Sequence, residues 1–324
     1  MAIMVEVFGE VAADYDEIRP GYPAALAEAI LAYHGGPPGR LVEVGAGTGL
    51  ATALLVGLVA ADGGDASTGR AADLTGRAAD PTGPGPAAST GRAADPTGPG
   101  PARPAAGERG AAGAVAPARV TCVEPDARMA AVLAARFPDV EVAVTRFERW
   151  SPPSGGVPLL ACALAWHWLD PATRNRRAYD ALAPGGTLAV FAHRYDYVDP
   201  TRSAAIRAAF ESVDPVPHHD QPEDWFHADI TASGLFTDVR TVAFRRAVPL
   251  DTAAYQRLVG TFSPQLRRPP ELRERVLSAI GAAVDGFGGT VTLDLRTTLV
   301  LARRPAGPET GGRVVSIRPD PRST

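Results

Sequence analysis

The sequence predicts an α/β protein with a doubly wound, Rossmann-like sheet, and three observations carry the expectation. Residues Leu41 to Gly49 form an apolar run that closes on three alternate glycines and feeds an amphipathic segment, which reads as a buried strand, a tight turn and a helix start. Short apolar runs then alternate with helix-patterned segments along most of the chain, the order that builds a parallel sheet covered on both faces. The second of those runs, Arg119 to Glu124, ends in an acid, at the edge where open α/β sheets bind ligands.

Taken in order, the segment Phe8 to Pro23 comes first. Pro23 suits the first position of a helix whose apolar face is Leu26, Ile30 and Leu31. At the turn, Gly45, Gly47 and Gly49 flank Ala46 and Thr48, and a ligand can approach the main chain where side chains are missing. Leu50, Leu54, Leu55 and Leu58 then recur on one helical face. Leu50 stands where the dinucleotide fingerprint G-x-G-x-x-G would place its third glycine, so the spacing departs from that fingerprint.

Residues 63–117 change character and repeat. The unit STGRAAD at Ser67–Asp73 is echoed at Leu74–Asp80, PTGPGPA follows at Pro81–Ala87, and the first and third units recur from Ser89 to Ala102. The period is seven, but apolar a and d positions are absent and Pro and Gly abound, so the segment reads as a disordered insertion. Either it tethers a partner or it is a neutral expansion of a surface loop, where added length costs little closure entropy; the second is the simpler reading. Glu124 lies 75 residues after Gly49, and removal of the 55 residues of the insertion leaves 20. That is the usual distance from the glycines to an acid that binds ribose hydroxyls.

Asp126 should cap a helix over Ala127 to Arg136 with Met129, Val132 and Leu133 inward, and Val140 to Val144 should be a third strand. Leu159 to Ala165 reads as a fourth strand, followed by Trp166-His167-Trp168 and by Asp170 and Pro171 as the start of a helix. Ala183-Pro184-Gly185-Gly186 stops that helix, and Thr187 to Ala192 is a fifth strand. Beyond it the pattern gives helices at Arg202–Glu211, near Trp225 and at Thr252–Val259, and strands at Val239–Val248 and Val291–Ala302. The tail from residue 305 to 324 is rich in Gly, Pro and Arg and reads as disordered.

Composition excludes several classes. The 45% hydrophobic content supplies a core, and no run of about 18 apolar residues suggests a membrane span. Met1 to Glu10 lacks a basic stretch, which favours a cytoplasmic protein. Cys122 and Cys162 lie in apolar runs and read as buried hydrophobes, and His218 and His219 are adjacent, so no metal site is expected. The net charge is −4 and all 32 basic residues are Arg, scattered along the chain, a composition that looks like a GC-rich bacterial coding bias and offers no nucleic-acid footprint.

The spacing Glu43-x-Gly45-x-Gly47-x-Gly49, with Glu124 and the stretch Ala165-Trp166-His167-Trp168-Leu169-Asp170, resembles the class I S-adenosylmethionine (SAM)-dependent methyltransferases. Within that class the chain is similar to the small-molecule enzymes of type 11, including those like trans-aconitate methyltransferase. The resemblance implies one methyltransferase domain over residues 1–304, interrupted by the insertion, with a seven-stranded sheet, an antiparallel last hairpin and a helical cap. It implies SAM as cofactor, held by Tyr15 and Arg19 of a lid, by Glu43, Gly45, Ala46, Gly47 and Gly49, by Glu124 and Pro125, by Phe147 and Glu148 at the adenine, and by Ala165. Arg146 stands where the adenine-binding acid is usual, a departure from the pattern.

His167 is the expected catalytic base or substrate contact, since an imidazole near neutral pKa at a strand's carboxyl end suits proton transfer. Trp166, His167 and Trp168 are the expected substrate residues, in a pocket shared with Tyr195, Trp225, Phe226 and Phe262. The partner is then a small organic methyl acceptor, methylated on oxygen, nitrogen or carbon, and the protein a monomer or homodimer. Two other classes compete: a SAM-binding regulatory module without catalysis, and a nicotinamide-dependent oxidoreductase, which the glycine spacing and the absence of lysine disfavour.

Overall fold

The computed structural model describes residues 12–59, 119–215, 222 and 225–307. The predicted insertion, the pair His218 and His219 and nearly all of the tail lie outside the described residues.

Strand β1 (Leu41–Val44) is buried along its length and pairs in parallel with β2 (Val120–Val123) on one side and β4 (Val157–Ala163) on the other. β3 (Glu141–Ala143) adds outside β2, and β5 (Leu182–Tyr197) outside β4, both parallel. β7 (Thr290–Arg303) then runs antiparallel between β5 and β6 (Thr237–Asp251), giving the order β3-β2-β1-β4-β5-β7-β6. The order reverses between β1 and β4, the switch point where open α/β sheets leave a crevice.

Alternation along the strands divides the core into two layers. Leu41, Cys122, Leu159, Ala161 and Phe191 pack under α2 (Ala24–His34), α3 (Thr52–Leu55) and α4 (Ala127–Arg136), through Leu26, Ile30, Leu55 and Leu133. Val42, Val44, Cys162 and Val190 face α5 (Arg174–Ala181) and α7 (Trp225–Ala232), through Ala178, Ala181, Phe226 and Ile230. Cys122 and Cys162 are both free and buried, one in each layer.

A third cluster forms the cap. α6 (Pro200–Val213), α8 (Thr252–Gly260) and α10 (Pro270–Asp285) bury Ile206, Tyr255, Leu258, Val259, Ile280 and Val284 on Val291 and Leu293 of β7. β5, β6 and β7 are longer than their apolar runs predict because β7 pairs with both neighbours past the parallel sheet and carries the cap on its far half. Three helices were not foreseen, α1 (Ala12–Ile18), α9 (Ser263–Leu266) and α10, the last with Val276, Ile280 and Val284 recurring four apart behind Pro270 at the first helical turn. The helix expected from Pro171 starts later, at Arg174, because Asp170 spends its carboxylate on a turn, accepting the amide of Ala172 at 3.0 Å and the hydroxyl of Thr173 at 3.1 Å. The helix expected after the glycines is short as well: α3 gives way to a 3₁₀ turn at Val56–Leu58, with Leu55 and Leu58 buried and Leu50 and Leu54 at its edge.

Candidate active site

At the switch point β1 ends in Gly45, where φ is +69° and a Cβ would stand 2.3 Å from that of Ala165 beyond β4. Only glycine lets the two strand ends meet there. Gly47, at φ +59°, turns its amide back toward β2 and donates to Glu124 Oε2 at 2.8 Å, while the amide of Asp126 donates to Oε1 at 2.9 Å. Each carboxylate oxygen thus holds one backbone N–H and keeps further acceptor capacity. Glu124 is 5% exposed, and burial raises its pKa against the lowering effect of the two amides. What surface it has lines a cavity of about 340 Å³, together with Val44, Gly45, Gly47, Pro125 and Met129.

On the β3 side the cavity wall is Arg146, Phe147 and Glu148. Arg177 of α5 fixes this loop from behind, donating to the carbonyls of Phe147 at 3.1 Å and Trp150 at 2.6 Å. Glu148 Oε1 accepts the amide of Asp170 at 3.1 Å, which ties the loop after β3 to the loop after β4.

Between them lies the exit of β4. Leu164 holds φ +52°, a conformation uncommon for a side-chain-bearing residue and typical of sites where a turn is imposed by its surroundings. Its amide is fixed by the carbonyl of Phe191 at 2.9 Å, and Leu164 and Ala165 both line the cavity. The 3₁₀ turn Trp166–Trp168 follows, and it sends neighbouring side chains in opposite directions. His167 faces the cavity against the ring of Trp168, 4.5 Å between centroids. Ringed by protein although open to the cavity, its imidazole is pushed down to about 4, first by burial and then by the Arg174 guanidinium.

Trp166 corrects the expectation of a substrate residue. It is 2% exposed and points into the layer beneath, where Nε1 donates to Asp229 Oδ2 at 2.9 Å. Arg174 pairs with the same carboxylate and donates to the Trp166 carbonyl at 3.3 Å. Trp225 and Phe226 of α7 pack in that layer too, away from the cavity.

The fourth wall is the lid and cap. In α1 (Ala12–Ile18), Asp16 accepts the Thr48 hydroxyl at 3.0 Å and pairs with Arg136, so the lid is tied to the glycine turn. Glu17 pairs with Arg257 of α8 at 2.7 Å. Tyr15 and Arg19 line the cavity with Tyr195, Phe262, Ser263 and Pro264. His193, which no sequence motif marked, also lines it. The Pro20 carbonyl lies 3.2 Å from its Nε2 and can only accept, so Nε2 carries the proton and Nδ1 takes the Thr297 hydroxyl at 2.8 Å. Burial holds this ring neutral, down to about 3.

Three other expected cofactor residues do not reach the cavity. Ala46 is 5% exposed and Gly49 packs against Phe137, so both shape the turn without lining the space. Glu43 lies on the opposite face of β1 from Val44, because side chains alternate along a strand. It is 1% exposed, Thr52 Oγ1 donates to its Oε2 at 2.5 Å, and burial raises its pKa to about 8 against the lowering effect of Thr52 and Cys122. Among the described residues no cluster of three or more His, Cys, Asp or Glu could hold a metal ion, and no helix is long and apolar enough to cross a membrane.

No protein-family model matches the chain, and no curated protein does. Solved structures do. A protein of Anaeromyxobacter dehalogenans, described provisionally as a type II methyltransferase, is 17% identical at a TM-score of 0.51, over 89% of this chain and 99% of that one. YcgJ of Bacillus subtilis is 11% identical at 0.47, over 88% and 100%. Phosphoethanolamine N-methyltransferase 2 of Haemonchus contortus, solved with phosphomonomethylethanolamine and S-adenosylhomocysteine, is 12% identical at 0.43, over 92% of this chain and 57% of that one. The first likeness shows the fold: a Rossmann-like class I methyltransferase sheet with its last hairpin antiparallel.

Proposed function

We propose that the protein is a SAM-dependent methyltransferase acting on a small organic molecule. The observation that carries this reading is Glu124, buried at the switch point, anchored by two backbone amides and open to a cavity large enough for a nucleoside and an acceptor. Its spare lone pairs suit a pair of ribose hydroxyls. Phe147 and Glu148 on one side suit a purine, and the side-chain-free backbone at Gly45 and Gly47 suits close approach of the sulfonium arm. The residues present therefore fit the cofactor.

When bound, SAM supplies an electrophilic methyl group on a sulfonium whose departing half is a neutral thioether. The chain then has no leaving group to protonate, and its own tasks are alignment and exclusion of water. Tyr15 of the lid and Trp168, Tyr195 and Phe262 supply walls that keep water out. His167 is neutral across the physiological range, since its imidazole is held near 4. As the acceptor's oxygen or nitrogen gains a methyl group its proton turns acidic, His167 takes that proton, and being a weak base passes it to solvent.

The methylated atom follows from the acceptor, an oxygen, nitrogen or carbon of a small molecule. The unpaired buried Cys122 and Cys162 support a reducing, cytoplasmic setting, and the protein acts as a monomer or homodimer. The test is transfer of a labelled methyl group from SAM to an acceptor pool extracted from bacterial cytosol, with the Glu124→Ala chain as control. Label moving to a small molecule only with the wild-type chain supports the reading; no transfer with a folded wild-type chain contradicts it.

A further inference from the structure

His167 has no orienting partner of its own. No described residue hydrogen-bonds either ring nitrogen, and the ring packs on that of Trp168, 4.5 Å between centroids. A catalytic base is ordinarily held in place by a third group on its far nitrogen. Here the place of the imidazole is set by the backbone that carries it, the turn Trp166–Trp168, which the Trp168 amide closes on the Ala165 carbonyl at 2.9 Å.

That turn is pinned through Trp166 at two points. The indole Nε1 donates to Asp229 Oδ2 at 2.9 Å, and the Trp166 carbonyl accepts from Arg174 Nη1 at 3.3 Å. Arg174 in turn gives Nε to Asp229 Oδ2 at 3.0 Å and Nη2 to Oδ1. Asn175 adds Nδ2 to Oδ2 at 3.0 Å and leaves its own Oδ1 buried with no partner among the described residues. One carboxylate on α7 therefore takes four donors, from the turn and from α5. Against the raising effect of burial, the hydrogen bonds of Arg174, Trp166 and Asn175 hold its carboxyl below the ordinary carboxylate value. A buried ion pair adds little stability over well-packed apolar side chains. What this one adds is a fixed place for Trp166, and so for the residue that follows it.

We propose that Asp229 is the positioning residue of His167, holding the turn that presents the imidazole to the cavity. It acts through Trp166 and Arg174 and does not itself line the cavity. This rests on the methyltransferase reading, in which His167 is the base. The charged groups that share the cavity with the ring are Arg19, Arg146, Glu124 and Glu148, with Arg174 and Asp229 in the layer beneath; of these, Arg174 adds to burial in keeping the ring neutral. Asp170, on the loop that follows the turn, is engaged with Ala172 and Thr173.

Proton–carbon NMR of the histidine Cε1–H groups, with the His167 signal identified by its loss in His167→Gln, reads this ring without a substrate. The wild-type ring should keep its neutral signal from pH 7.5 to pH 5, being held near 4. The Asn amide of Asp229→Asn cannot accept all four donors, so the turn should loosen and admit water. The titration should then rise by about one unit or more toward 6.5, because burial is the main cause of the shift. Arg174, left without its counter-charge, opposes this as the lesser cause. Asp229→Glu, which keeps the carboxylate, should lie between the two. Should Asp229→Asn fold poorly, Trp166→Phe, which removes the indole N–H and leaves the ion pair, should move the titration the same way by less.

In Asp229→Asn, affinity for S-adenosylhomocysteine should change by less than about twofold, while label transfer from SAM to the cytosolic acceptor pool should fall about tenfold or more, the cost of a displaced group. A lowered urea midpoint with His167 titration and label transfer unchanged would make Asp229 part of the scaffold only and overturn the proposal. Loss of S-adenosylhomocysteine affinity with the titration unchanged would also overturn it. If S-adenosylhomocysteine did not bind the folded wild-type chain, the methyltransferase reading would fall and this proposal with it, whatever the titration showed.

Discussion

Gly45 and Ala165 meet so closely across the switch point that a Cβ on Gly45 would stand 2.3 Å from the Cβ of Ala165. The contact joins the end of β1 to the exit of β4, and the cavity opens on either side of it. Gly45→Ala must both accept φ +69° and force the strand ends apart. The expected cost is roughly 3 kcal/mol or more, from backbone strain and overpacking together. Urea unfolding should show the midpoint drop; a midpoint within error of wild type would mean that the two loops part easily.

Glu43, under the same turn, gives a pH dependence of definite sign. Its folded pKa is raised to about 8 from an ordinary 4.5, so its contribution is complete below about 4.5 and lost as pH rises through 8. Glu43→Gln removes that slope and keeps an acceptor for Thr52. The variant should gain a few kcal/mol over wild type at pH 8 and little at pH 4.5, by order of magnitude from about 1.4 kcal/mol per pKa unit. Equal gains at both pH values would show that Glu43 is ionised in the fold.

His193 works in the opposite sense. Its folded pKa, about 3, lies below the ordinary 6.5, so the unfolded chain takes up a proton that the native chain refuses. Stability is then present above about pH 6.5 and lost toward pH 3, by up to roughly 1.4 kcal/mol per pH unit. His193→Gln, able to donate to Pro20 and accept from Thr297, should lose less across that range. Parallel acid profiles for the two chains would remove His193 from the account.

Parts of this site were legible in the sequence because they are local. The glycine turn, the acid Glu124 at its usual spacing once the repeats are set aside, and His167 after a strand are each read within a few residues of one another. What was not legible depends on distant partners. His193 is defined by Thr297, 104 positions away, and nothing beside it in the chain distinguishes it from its neighbours on β5. Trp166 and Trp168 look equivalent as letters, yet a three-residue turn sends one to Asp229 and the other to the cavity. α10 did carry a signal, apolar residues four apart behind a proline, but it sits beyond the alternating part of the chain and packs on the cap.

His167 should act on chemistry and leave cofactor affinity nearly alone. His167→Ala is expected to lower turnover of an acceptor about 100-fold, the usual worth of a placed base, with SAM affinity within a few-fold of wild type. Because the ring is neutral down to about 4, wild-type turnover should stay level from pH 8 to pH 5 and fall only near 4. A limb near 6.5 would show a base with an ordinary pKa.

The central claim is that Glu124 holds the ribose of SAM, and the heat of binding of SAM, S-adenosylhomocysteine and NAD to the wild-type and Glu124→Ala chains tests it most directly. The account predicts micromolar binding of the first two, weakened by roughly tenfold or more in the variant as charged hydrogen bonds are lost, and no binding of NAD. Binding of neither SAM nor its product to the folded wild-type chain, or equal affinity in the two chains, would contradict it.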